Sequence, residues 1–98
     1  MENILKVLET GTSEEKIKIL ENLENIENPE FLEKIISKLD DDDIQVRGEA
    51  FSTLVLNENE ISNFLIKSLK STNKNIRGFT TLVLANRNET SSIPEIIK

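Results

Sequence analysis

The chain has 98 residues, a net charge of −6, and neither Cys nor His. That length makes one domain. Without thiols or imidazoles there is no disulfide, no Ser-His-Asp or Cys-His nucleophile, and no ordinary ligand set for zinc, haem or an iron–sulfur cluster, so no cofactor is expected. The charge is uneven, −8 over residues 1–43 and +2 over residues 44–98. An acidic chain repels nucleic acid and anionic lipid overall. No apolar run approaches the ~18 residues that span a bilayer, and no signal-peptide pattern opens the chain, so a cytoplasmic location is the default expectation.

In chain order, Ile4, Leu5, Val7 and Leu8 recur at helical spacing, and Gly11 stands where a left-handed C-terminal cap is expected. Thr12 or Ser13 caps the next helix, and Thr12 with Glu15 fits a capping box. That helix is expected to run to about Ile26, with Ile17, Leu20 and Leu23 inward. Asn28-Pro29 opens another, because proline suits a first helical turn, and Phe31, Leu32, Ile35, Ile36 and Leu39 form its apolar stripe. The Asp40–Asp43 run ends it and starts a helix from about Asp43 to Leu56. Asn57-Glu58-Asn59 breaks that helix. Ile61, Leu65, Ile66 and Leu69 then build a helix, Ser71-Thr72-Asn73 a turn, and Ile76, Thr80, Val83 and Leu84 another helix. Ile93-Pro94 begins a last one. No segment alternates with period two for long enough to claim a strand.

One word is stated twice. Asp43-Ile44-Gln45-Val46-Arg47-Gly48 is followed 30 residues later by Asn73-Lys74-Asn75-Ile76-Arg77-Gly78. A second echo, Phe51-Ser52-Thr53-Leu54-Val55-Leu56 against Phe79-Thr80-Thr81-Leu82-Val83-Leu84, is spaced by 28, as if two residues were missing. A shared period of this size marks a repeat protein. The expected fold is all-α: a right-handed α-solenoid of about three and a half helix pairs. Residues 1–10 form a partial repeat, and 13–39, 43–70 and 73–98 form the pairs. Gly48 and Gly78, inside helices at one repeat position, suggest a close helix–helix approach.

Leu39-Asp40-Asp41-Asp42-Asp43-Ile44-Gln45-Val46-Arg47-Gly48-Glu49-Ala50 and Leu69-Lys70-Ser71-Thr72-Asn73-Lys74-Asn75-Ile76-Arg77 resemble HEAT-like repeats, most of all the short variety named after phycobilisome lyases. The likeness covers roughly residues 13–98. It departs at the first pair, where Ile17-Lys18 replaces Val-Arg, and at Asn73 and Thr80, which replace the acidic residue and the alanine. The resemblance implies a structural ladder of Asp42, Asp43, Arg47 and Arg77, with Asp42 or Asp43 as the partner of Arg77. The iron-binding hydroxylases of this likeness use His-Glu motifs, which a chain without His does not supply.

The Asp40–Asp43 run fails as a calcium loop, since the sixth place counted from Asp41 is Val46, not glycine. Among the carboxylates only Glu49, beside Ala50 and Phe51, has an apolar context. No enzyme is therefore expected. In a solenoid the second helices of the pairs line the concave face, where partners bind. Their outward positions include Lys34, Lys38, Asn63, Lys67, Lys70 and Lys98. The expectation is a protein-interaction module or scaffold that takes an acidic segment of another protein there. The alternatives are an assembly or regulatory subunit of an enzyme, of the lyase-chaperone type, and a nucleic-acid-binding domain, which the charge and the lack of aromatics oppose. The last helix, with Ile93, Ile96 and Ile97, is a second candidate surface, for self-association. Richness in Asn, Ile, Lys and Glu suggests an AT-rich genome, archaeal or low-GC bacterial.

Overall fold

Caps and turn residues set where the helices start. The computed structural model describes residues 2–87, with side chains from Ile4 onward. The helices are α1 (Glu2–Thr10), α2 (Ser13–Glu21), α3 (Pro29–Ser37), α4 (Ile44–Leu56), α5 (Ser62–Ser68) and α6 (Lys74–Arg87), with a 3₁₀ turn at Lys38–Asp40 after α3. No strand occurs among the described residues. Thr12 and Glu15 make the expected capping box, with bonds of 3.2 and 2.9 Å. The Asn28 side chain accepts from Glu30 N–H ahead of Pro29, Asp43 from Gln45 N–H, and Asn73 from Ile76 N–H. The helix expected at Ile93 lies outside the described residues.

Gly11 is required for a different reason than a left-handed cap. Its φ is not in the left-handed region; instead a Cβ there would stand 2.6 Å from the Val7 carbonyl oxygen and 2.7 Å from Val7 Cγ1. The Gly11 N–H closes on that same carbonyl at 2.7 Å, which draws the backbone in. Gly11→Ala is expected to destabilise the fold by about 1–3 kcal/mol, the usual cost of overpacking, read as a lower urea midpoint. Gly48 and Gly78 show the opposite. A Cβ at either meets nothing within 4 Å, so the close approach suggested by their recurrence is absent. Both sit on exposed helix surface.

Alternate helices touch. α1, α3 and α5 contact one another in succession, as do α2, α4 and α6, and the 3₁₀ turn packs between α4 and α6. One apolar cluster lies between the two rows, with Leu8, Leu20, Leu32, Ile35, Leu39, Leu54 and Leu65 fully buried. The radius of gyration, 12.7 Å, matches the about 13 Å of a compact domain near this size. No helix among the described residues is long and apolar enough to cross a membrane.

Burial fixes the repeat register at 30. Ala50 and Thr80, Thr53 and Val83, and Leu54 and Leu84 are buried pairs at that offset. An offset of 28 would set buried Leu54 against Leu82, which is 50% exposed. The 28-spaced echo is therefore not a structural equivalence, and no two residues are missing. Phe51 and Phe79 are instead neighbours across α4 and α6, with ring centroids 6.3 Å apart at 60°. Thr80 stands where the preceding repeat has Ala50, and its hydroxyl is buried with no hydrogen-bond partner among the described residues. Thr80→Val removes that hydroxyl at nearly constant volume. It is expected to stabilise the protein by about 1 kcal/mol, the low end of the cost of an unsatisfied buried polar group, seen as a higher melting temperature.

α2 ends at Glu21, short of the expected Ile26, in tight turns in which Asn22 and Leu23 N–H donate to the carbonyls of Ile19 and Leu20 at 3.0 and 3.1 Å. Past Asn22 the chain continues in tight turns, and the carbonyls of Asn25 and Ile26 accept from Asn59 Nδ2 at 2.7 Å and Asn57 Nδ2 at 2.8 Å. Thr53 Oγ1 donates to the Leu20 carbonyl at 2.9 Å. The next repeat does the same to α4. Arg87 donates to the carbonyls of Leu54, Asn57 and Asn59 at 2.9, 2.5 and 2.9 Å. Carbonyls left over at a helix end are thus satisfied from the following helix of the row.

Candidate protein-binding face

The arginines of the repeated word hold their own turns. Arg47 Nη1 donates to the Asp41 carbonyl at 2.6 Å, with the Asp42 carbonyl at 3.4 Å, and Arg77 Nη1 donates to the Ser71 carbonyl at 2.7 Å. Each closes on the backbone that leads into its helix. The expected pairing of Arg77 with Asp42 or Asp43 is not made, because the guanidinium turns back along its own chain. Asp42 is exposed, and Asp43 caps α4. The Ser13 hydroxyl, and then the Gln45 N–H, hold the Asp43 carboxyl below its ordinary value. The link between the two words is Asp40. Its carboxylate accepts from Asn73 Nδ2 at 2.6 Å and Asn75 Nδ2 at 2.8 Å, and these bonds, that of Asn75 first, lower its pKa.

Asp41 is the buried member of the acidic run. Its Oδ2 is 2.8 Å from Lys16 Nζ and 3.8 Å from Lys38 Nζ, and its Oδ1 accepts from Asp43 N–H at 2.9 Å. Burial pushes its carboxyl up, but the bonds from Lys16 and Asp43 N–H and the charges of both lysines outweigh it, and the net shift is down. Lys38, expected on an open binding face, is buried and points into this cluster. The 3₁₀ turn brings it to the core side three residues after Ile35. Burial and the Lys16 charge lower its pKa against the pull of Asp41. Lys34 is ion-paired to Glu9 of α1 at 3.0 Å, and that bond and charge hold Glu9 below the ordinary carboxylate range. Elsewhere burial first, then the charges of Glu21 and Glu24, raise the pKa of Glu49. Among the described residues no group of three or more potential ligands is placed to hold a metal ion.

Two clefts adjoin on the α1–α3–α5 row. One, of about 450 Å³, lies between α1 and α3 and includes Leu5, Lys6, Glu30 and Glu33 in its lining. The other, of about 290 Å³, lies between α3 and α5 and is lined by Glu33, Ile36, Phe64, Lys67 and Ser68. Glu33 is a wall of both. Of the residues expected on a binding face, Lys34 and Lys67 line these clefts, Asn63 and Lys70 are exposed on or just after α5, Lys38 is withdrawn, and Lys98 lies outside the described residues. The sequence reading missed Glu30 and Glu33, which follow Pro29 on the outer side of the apolar stripe. A carboxylate there looks like ordinary helix surface until α1 and α5 are set on either side. Compared with family models, curated proteins and solved structures, the chain matches none.

Proposed function

We propose that the chain is a non-enzymatic protein-binding module, a right-handed HEAT-like α-solenoid that engages another protein along the α1–α3–α5 row. The observation that carries this reading is the pair of adjoining clefts on that row, which share Glu33 and have partly apolar linings. Concave, mostly preformed surfaces with a few polar groups are where ligands bind, and stacked helix pairs present such a surface over several helices. The alternation of contacts between odd and even helices and the 30-residue register of burial support the repeat reading. The reading takes the cytoplasm as its setting, where a chain without cysteine works in either redox state.

A photo-crosslinking residue placed at Glu33 tests it in lysate of the source cells, with the same residue at Lys18, exposed on α2, as the control. A protein captured from position 33 and not from position 18 supports the reading. Equal capture at both positions, or capture only at position 18, overturns it.

A further inference from the structure

We infer that the groove takes an extended protein segment with a single basic side chain seated on Glu30 and Glu33 and an apolar side chain against Ile36 and Phe64. This rests on the α1–α3–α5 row being the binding face. Charge decides the partner. Lys34 already faces Glu9 at 3.0 Å and Lys38 is buried beside Asp41, so two of the lysines expected to hold an acidic segment are engaged. The carboxylates of Glu30 and Glu33 make no ion pair among the described residues. They are exposed and lie on the middle helix of the row. A segment laid across α3 therefore meets negative charge at its centre, and an acidic one is repelled there.

The two ends of the groove are basic, with Lys6 on α1 and Lys67 on α5. A polybasic tract would meet a lysine at each end, so the site selects one positive charge. Next to Glu33, half-buried Phe64 and the exposed edge of otherwise buried Ile36 offer a small apolar surface. The scale fits an extended chain. Helices packed about 8–10 Å apart put the outer two of three about 16–20 Å apart, and at about 3.3 Å per residue five or six residues cover that span. Clefts of about 450 and 290 Å³ hold one or two side chains each, not a whole helix of about 10 Å diameter.

The test is an amide ¹H–¹⁵N titration of the full chain with capped pentapeptides. The probe is acetyl-Ala-Leu-Arg-Leu-Ala-amide, with analogues carrying Gln, Glu or three consecutive Arg at the centre. The expected result is saturable shifts at Glu30, Glu33, Ile36 and Phe64 with the single-Arg peptide, and at least tenfold weaker binding of the Gln analogue. Glu30→Gln and Glu33→Gln, both at exposed positions, should each weaken the single-Arg peptide at least threefold. If the Glu or triple-Arg analogue binds the groove as tightly, the partner chemistry is overturned and the binding face stands. If no peptide shifts the groove, or the shifts fall on another surface, the binding face and the partner both fall.

Discussion

Asp41→Ala is expected to lower stability by about 3 kcal/mol, at the low end of the cost of removing one partner of a buried ion pair. For a domain of this size that is about 15 °C in melting temperature. The side chain of Asp41 is 6% exposed, and those of Lys16 and Lys38, which surround it, are 14% and 10% exposed. Removing the carboxylate leaves two ammonium groups facing each other with little water. It also frees the Asp43 N–H just before α4. Asp41→Asn keeps an acceptor for that N–H and loses the charge, so it should cost about half as much, nearer the loss of one charged hydrogen bond of about 1.5–3 kcal/mol. The pH dependence separates the two contributions. The folded pKa of Asp41 lies below its ordinary value, so the stabilisation is complete above the unfolded value near 3.9 and is lost as pH falls through the folded value. Wild type and Asp41→Asn should differ at pH 7 and converge in acid. A difference that stays constant down to pH 2 would show that the carboxylate charge is not what stabilises this corner. Urea melts across pH read both.

Arg87→Ala is expected to cost about 2–3 kcal/mol, the worth of charge-assisted bonds to backbone carbonyls. One guanidinium serves three carbonyls just past and within the last turn of α4, two from Nη1 and one from Nη2. An ammonium has donors but no planar fork, so Arg87→Lys should recover less than half of the loss. Full rescue by lysine would mean that charge alone matters there. Hydrogen exchange localises the effect: amides of α4 and α6 should lose protection while those of α1 and α3 keep theirs.

Helix starts were legible because each depends on residues that are close in sequence. Thr12 with Glu15, Asn28 with Pro29, Asp43 and Asn73 each bond backbone within three positions. The 30-residue period was legible for the same reason, since the whole word recurs. What lay outside local sequence was lost. The stretch after α2 is held by Asn57 and Asn59, more than thirty residues further on, which bond the carbonyls of Ile26 and Asn25. Lys34 reads as a free surface lysine until α1 brings Glu9 to it, and Lys38 until a 3₁₀ turn rotates it inward. Arg77 was placed in the right word, with Asp42 or Asp43 expected as its partner, but it donates to the Ser71 carbonyl. An acidic run one repeat earlier suggests a carboxylate partner, whereas the Ser71 carbonyl of its own turn lies at 2.7 Å. On the candidate face, Glu30 and Glu33 had no signature, since a groove is a property of three helices together.

The side-chain bonds to main-chain carbonyls that link α2, α4 and α6 run one way. Thr53, Asn57 and Asn59 donate back to residues 20–26, and Arg87 donates back to residues 54–59. Asn73 and Asn75 likewise reach back to Asp40. In these bonds the donor is translated after its acceptor, whereas Lys16 donates forward to Asp41. During synthesis each helix end therefore waits, its carbonyls satisfied only by water, until the next helix of the row leaves the ribosome. The acceptors of Thr53, Asn57, Asn59 and Arg87 are main-chain carbonyls, which every residue type carries, although the Asn25 side chain also accepts from Glu58 N–H at 2.9 Å. A substitution at Leu20, Ile26 or Leu54 keeps the accepting carbonyl, whereas a change at Thr53, Asn57, Asn59 or Arg87 removes a donor. In evolutionary terms the polar constraint falls on the later partner of each such link, while Leu20 and Leu54 are held by their burial in the core.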